Sequence, residues 1–423
     1  MTEPGPGGGH EQSRPAGMTG DAVTGPLSGI RVLELGNFVA APTAGRLMAE
    51  FGAEVIKVER PGVGDQVRGW RLPRGETSMM WRMLGRNKKS VTIDIGTPQG
   101  AELVRRLAST ADVLLENFRP GKLESWGLSP ESLRAGNPRL IVARISGYGQ
   151  TGPYRDRPGF GGVAEALGGM RFVTGYPDRP PTRLGVSIGD TLAGMLSVIG
   201  ALMGLLSQHR LGADRGETVD VALHEAVFSV MESTIPEYSA YGTVRQRTGN
   251  EMPGVAPSST YPCRDGDWVV IGGNADGIFP RLMQAIGRPD LGADPRFRSN
   301  RGRSAHSELL DAAIAEWTAA RSLDEVVSVM VRASVPAGPI YSAEDIVKDA
   351  HFRARDMLLE HEVELDGAAE KVLFPGVVPR LEWMPGRVRW LGPELGEHTD
   401  EVLTGLLGMS EDEVTRLHEQ GVV

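Results

Sequence analysis

The amino-acid sequence predicts an α/β protein with a doubly wound parallel sheet and a smaller α+β portion. Short apolar runs bounded by glycine alternate with helix-periodic stretches from Leu27 onward, the pattern turns mixed after Val219, and no solenoid repeat is present. Gly29 to Gly36 (GIRVLELG) has the look of a buried strand, and Pro42 to Gly52 (PTAGRLMAEFG) carries helix periodicity and ends on glycine. Glu54 to Glu59 (EVIKVE) alternates as a strand and stops at Arg60-Pro61, which completes a strand, helix, strand unit of the kind that builds parallel sheets. Ser90 to Asp94 (SVTID), Pro98 to Ala108, Val113 to Glu116 (VLLE) and Leu140 to Ile145 (LIVARI) repeat the alternation. Leu192 to Leu206 (LAGMLSVIGALMGLL) is nearly unbroken and apolar; it is shorter than the roughly eighteen residues a membrane span needs, so it reads as a buried core helix. From Asp220 to Glu237 the chain is helix-like, and Gly249 to Ser259 is a Gly/Pro/Ser-rich connection. Tyr261 to Gly273 reads as a hairpin around Asp265-Gly266, followed by helices at Phe279 to Ile286 and Ser307 to Ala319. The chain is strand-rich again near Arg355 to Trp390 and closes with a helix from Glu397 to Leu407. The expected divisions are a disordered tail over 1–26, a large domain over 27–220, a linker and small α+β domain over 221–335, and a C-terminal segment over 336–423.

Composition narrows the function. With 40% hydrophobic and 23% charged residues the chain is ordinary globular protein, which excludes a disordered, collagenous or membrane-spanning chain over most of its length. A net charge of -9 and the lack of any dense Lys/Arg run argue against a nucleic-acid partner. Cys263 is the only cysteine, so no internal disulfide, Cys-based zinc site or two-cysteine redox site can form, and a reducing cytoplasm fits. The N-terminus lacks the basic start and apolar core of a secretory signal. Its Gly, Pro and polar content suits a disordered tail, and either Met1 or Met18 can open translation.

Three places could hold chemistry. The turn Gly36-Asn37-Phe38-Val39-Ala40-Ala41 lacks the glycine triplet that brings backbone to a pyrophosphate, which disfavours a nicotinamide cofactor. Asp190, in GVSIGDTLAG, directly precedes the long apolar run; it is either a plain N-cap or a carboxylate kept ionised by a positive helix end and ready as a nucleophile. Arg60, Lys88, Lys89, Asn117, Phe118 and Arg119 fall at ends or turns of the parallel sheet, where basic groups could hold phosphates and Phe118 could stack on a base. None of the eight histidines forms a metal-type pair at short spacing, so no metal is expected, and Cys263 has a structural role.

In order along the chain, RVLELGNFVAAPTAGRLMAEFGAEVIKVERPGVGDQVRGW, NKKSVTIDIGTPQGAELV, LLENFRPGKLESWGLS, ISGYGQTGPYRDRPGF, GVSIGDTLAG and LGEHTDEVL resemble the class III CoA-transferase family, which includes formyl-CoA and carnitine CoA-transferases. The resemblance implies a Rossmann-like large domain completed by the C-terminal segment, a smaller α+β domain, and two chains threaded into an interlocked homodimer. It makes Asp190 the nucleophile, which attacks an acyl-CoA thioester and carries CoA as an aspartyl thioester until a second acid accepts it. It assigns Arg60, Asp94, Asn117, Phe118 and Arg119 to CoA. Phe160, where a racemase branch of the superfamily has a histidine base, joins them, and Val39 and Trp70 lie near the acyl pocket.

Departures from the family pattern bear on substrate and reaction. Val39 stands where formyl-CoA transferases have glutamine, and GNEMPGVAP replaces their glycine run, which makes oxalate and formate poor candidates. Phe160 cannot act as the second acid-base group that racemisation requires. The expected function is therefore CoA transfer from an acyl-CoA to a small free carboxylic acid in the cytoplasm, with CoA thioesters as substrates and no permanently bound cofactor. An acyl-CoA racemase or isomerase of the same fold, or a non-catalytic CoA-binding protein, are the alternatives.

Overall fold

A computed structural model describes residues 25–71 and 78–423. The expected disordered tail, apart from Gly25 and Pro26, and the alternative start at Met18 lie outside these residues.

Six strands form one parallel sheet: β1 (Arg31–Glu34), β2 (Glu54–Glu59), β3 (Lys88–Thr92), β4 (Val113–Glu116), β5 (Ile141–Ser146) and β6 (Thr218–Ala222). Their order is β3-β2-β1-β4-β5-β6, with every neighbouring pair parallel. This is the Rossmann-like arrangement: the chain starts at the centre, builds one half outward, then reverses at β1/β4 and builds the other. The inner strands are buried on both faces, which is why they read as short apolar runs without clean alternation. Helices α1 (Ala40–Glu50), α2 (Pro98–Ser109), α3 (Gly161–Leu167), α4 (Ile188–Leu211) and α5 (Leu223–Phe228) follow.

The sequence pattern misplaces three features. The helix-like stretch from Asp220 contains the last part of β6, and the helix begins only at Leu223. Thr218, Val219 and Val221 are β-branched, and their exposure changes strand-fashion along the edge of the sheet, which outweighs the helical pattern downstream. Second, α4 is not a fully buried core helix. It runs for 24 residues and contains an 18-residue window with a mean hydropathy of 1.6, so by length and composition it is long and apolar enough to cross a membrane. One small-residue face, Gly189, Ala193, Gly194, Ser197 and Ala201, is buried, whereas Met195, Ile199, Met203 and Leu206 point outward. Third, the strand-rich stretch near the C-terminus is a single hairpin of two strands, followed by irregular chain to Trp390.

A second core lies under a three-stranded antiparallel sheet of β7 (Ser258–Pro262), β8 (Trp268–Gly272) and β9 (Ala337–Pro339), with the turn between the first two passing Gly266. Phe279, Leu282, Phe297, Leu310, Ile314, Val326 and Met330 fill it. Beyond it come the hairpin β10 (Leu358–Leu365) and β11 (Ala368–Pro375) and two helices, Thr399–Gly405 and Glu411–Glu419. The chain end returns to the large sheet: Val402, Leu403, Val414, Val422 and Val423 pack with Leu33, Ile56 and Leu114, and the Asp94 backbone N–H donates to the Val422 carbonyl over 2.7 Å.

Beneath the first half of the sheet lies a buried ionic cluster. Glu34, on β1, accepts from Lys57 Nζ at 3.1 Å and from Lys88 Nζ at 2.6 Å, and all three side chains are fully buried. Lys57 also reaches Asp65 at 2.9 Å and the Gly36 carbonyl at 2.7 Å; Lys88 reaches the Pro42 carbonyl at 2.8 Å. Burial opposes the Lys57 charge, but Asp65, Glu34 and Glu59 hold its pKa above the ordinary lysine value. Burial pushes Lys88 down to about 8, with Glu34 pulling the other way. The cluster thus ties β1, β2 and β3 to the loop that leads into α1. Lys88, a candidate phosphate ligand by position, is occupied there, and Lys89 pairs with Glu54 and Glu401. Replacing Glu34 with Gln leaves two buried ammonium groups short of a counter-charge, so we expect about 3–5 kcal/mol of lost stability, measured by urea denaturation. Loss of the exposed Glu102–Arg105 pair should cost less than about 1 kcal/mol in the same assay.

Candidate active site

Four helix N-termini converge at the carboxyl end of the sheet, where open α/β folds place their ligands. Ala40 and Ala41 of α1, Ala164 of α3, Ala193 of α4 and Ala226 of α5 share one apolar cluster with Ile145 and Val221. Small side chains are what permit this: a Cβ on Gly194 would stand 2.6 Å from the Ala40 carbonyl oxygen. Asp190 sits one turn before this contact, in the first turn of α4. It is not the N-cap. Ser187 occupies that position, and no side chain caps the helix. The Asp190 carboxylate is instead half-buried against α3, and a Cβ added to Gly161 would lie 2.2 Å from its Oδ2. Burial first, and then the like charge of Glu165, raise the Asp190 pKa to about 6, while Arg183 pulls it down. The helix end therefore does not hold this carboxyl in its ordinary range, as its place in the sequence suggests; it remains mainly ionised at neutral pH but is far more basic than an exposed aspartate.

The remaining candidates fall into two groups. Val39 is buried at the start of α1, next to Ala40 in the helix contact, and Phe38 beside it packs against Trp70 with ring centroids 5.5 Å apart. Phe160 precedes Gly161 and is 70% exposed, so its ring stands open to solvent rather than in a core. Arg60, Asp94, Asn117, Phe118 and Arg119 follow the carboxyl ends of β2, β3 and β4. Arg60 and Arg119 are exposed, and among the described residues neither guanidinium has an ion-pair partner. Asp94 Oδ1 accepts from the Gly96 N–H at 2.9 Å and shapes the turn into α2. Asn117 is fully engaged: Oδ1 accepts from the Asn37 N–H at 2.8 Å and Nδ2 donates to the Asn37 carbonyl at 2.7 Å, which locks the two loops that diverge at the β1/β4 reversal. The Phe118 ring is part-buried and packs at right angles to Trp126, with centroids 5.1 Å apart, and against the sheet core.

Residues 27–399 match CoA-transferase family III. The chain belongs to that family. A succinyl-CoA–D-citramalate CoA-transferase of Chloroflexus aurantiacus is 51% identical over 401 residues, which cover 94% of this chain and 98% of that protein. The beta subunit of a succinyl-CoA–L-malate CoA-transferase of the same organism is 40% identical over 96% of this chain and 100% of its own. A crystal structure of a CAIB/BAIF family protein from Brucella suis has a TM-score of 0.78 to this fold at 34% identity, covering 90% of this chain and 100% of that one. The protein is thus a class III acyl-CoA:carboxylate CoA-transferase, and the nicotinamide reading is closed.

Four residues at or next to this candidate site carry no motif that singles them out in the sequence. Gly161, Glu165 and Arg183 lie around Asp190 and Arg171 pairs with Glu165, and the segment FGGVAEALGG carries only a spacing signal for the first two: glycine and glutamate four apart share one helix face. Gly161→Ala tests the approach of α3. Alanine suits a helix, so the fold should hold, whereas the new methyl group must push the carboxylate aside. We expect kcat/KM to fall at least about 100-fold with an unchanged melting temperature, checked by steady-state kinetics and calorimetry.

Proposed function

We propose that this transferase moves CoA from succinyl-CoA to a short dicarboxylic acid through a covalent aspartyl-CoA thioester on Asp190. The observation that carries the reading is the Asp190 carboxylate: half-buried, uncapped, pressed on Gly161, and with its pKa raised to about 6. A carboxylate of that kind is a better nucleophile than an exposed one and needs no metal to be ionised. Its oxygen attacks the thioester carbonyl and expels CoA thiolate, leaving a mixed anhydride. The thiolate then attacks the aspartyl carbonyl, and the donor acid departs with one Asp190 oxygen. The acceptor acid repeats the two steps in reverse and restores the carboxylate. The anhydride must be shielded from water, a task suited to the Phe38–Trp70 pair and the exposed Phe160 ring. Arg60 and Arg119 suit the phosphates of CoA, with Asp94 and Asn117 shaping the loops around them.

The acid class follows from the relatives at 51% and 40% identity, whose names pair succinyl-CoA with citramalate and malate. Arg183 fits this choice, because it is the cation near Asp190 and is exposed, able to meet the far carboxylate of such an acid. We further propose that the exposed apolar face of α4, with Met203 66% exposed, is covered by a second copy of the chain; sedimentation at the mass of a single chain would count against it. The transferase reading is tested by initial-rate kinetics with succinyl-CoA and a series of mono- and dicarboxylates. We expect ping-pong patterns, preference for dicarboxylates, loss of transfer in Asp190→Ala by at least about 10⁴-fold, and an acid limb near pH 6 below which the protonated carboxyl no longer attacks. Full transfer by Asp190→Ala would rule the reading out.

A further inference from the structure

Glu165 is a buried carboxylate that the transfer chemistry does not itself require. It is 1% exposed, its Oε2 pairs with Arg171 Nη2 at 3.1 Å, and its Oε1 is buried with no hydrogen-bond partner among the described residues. A buried oxygen left without a donor is costly, so the site keeps this charge against a penalty. Its place is specific. Glu165 lies four residues after Gly161 on α3, so the two share one helix face, and helical side chains lean back toward the N-terminus. That direction leads to the spot where Gly161 meets Asp190 Oδ2. From the other side, a Cβ on Gly189 would be 3.3 Å from Glu165 Cγ, so the side chain fills the space directly under the first turn of α4.

We propose that Glu165 is a positioning residue for Asp190: held by Arg171, its buried charge orients the Asp190 carboxylate toward the open side of the site and sets the pH at which transfer begins. This rests on Asp190 being the nucleophile. A negative charge about one helical turn away both repels the Asp190 oxygens outward and disfavours a second delocalised charge inside, which makes the nucleophile more basic. The other groups around the pair are few. Arg183 faces Asp190 from the preceding loop and opposes Glu165; on α5, His224 Nδ1 is engaged with the Gly147 carbonyl at 3.2 Å and Glu225 is exposed; on α1, Arg46 pairs with Glu50 farther along the helix. Glu165 and Arg171 therefore form the adjustable part of the charge balance.

The test is the pH dependence of the first half-reaction, followed as succinate release and CoA adduct by intact mass after mixing the enzyme with succinyl-CoA alone. Glu165→Gln, which keeps shape and removes charge, should move the acid limb down by about one unit and slow the plateau rate roughly tenfold. Arg171→Gln, on a partly exposed side chain, should move the limb up, because it leaves Glu165 uncompensated. Glu165→Asp should keep the wild-type limb. Opposite shifts in the two glutamine variants support the proposal. A limb that stays in place in the Arg171 variant, or in both, overturns it even if stability changes, and should Glu165→Gln not fold the Arg171 variant decides alone. A wild-type enzyme that releases succinate with no adduct on Asp190 would instead overturn the nucleophile reading beneath it.

Discussion

Close approach of helices at the carboxyl end of the sheet is the constraint on which the rest of this protein depends. Glycines and alanines at the contacts of α1, α3, α4 and α5 let four helix starts meet over β5 and β6, and a side chain at Gly194 would collide with the Ala40 carbonyl. The consequence is chemical. Only because Gly161 has no side chain can the Asp190 carboxylate lie on the backbone of α3, partly shielded from water, where its charge is disfavoured and its basicity raised. The same small-residue face that seats α4 on the sheet leaves its large residues outside.

Charge is handled differently at the two ends of the site. Under β1 to β3, Glu34 is satisfied by two lysines and each lysine by further oxygens, a closed network that fixes the loop into α1. Around Asp190 the balance is left open: Glu165 has one oxygen without a donor, and Arg183 acts without forming an ion pair among the described residues. Satisfied buried charge makes a rigid frame, and unsatisfied charge beside a reacting group is the usual mark of a working one.

Much of this was legible in the sequence, for reasons that are physical. Buried parallel strands such as VLLE and EVIKVE announce themselves because both faces are apolar, and the family motifs carry the site position of Asp190. β6 was hidden because an edge strand of five residues runs straight into a helix, and the helix pattern dominates any window spanning both. The last helix, Glu411–Glu419, does carry a local signal, the capping box of Ser410 and Glu413. What no pattern reveals is contact across sequence distance: that Asn117 spends its amide on Asn37, that Lys88 is buried rather than available to phosphate, and that Gly161 is the floor under Asp190.

The account stands on an Asp190 oxygen entering the bond that is broken and remade in each turnover. The most direct measurement uses an acceptor dicarboxylate labelled with oxygen-18, incubated through many turnovers with succinyl-CoA, followed by mass spectrometry of the Asp190 peptide. Label in that carboxylate, in one oxygen after the first turnover and in up to two after many, together with label in the released succinate, is the predicted result. An Asp190 peptide without label after complete turnover would contradict the account.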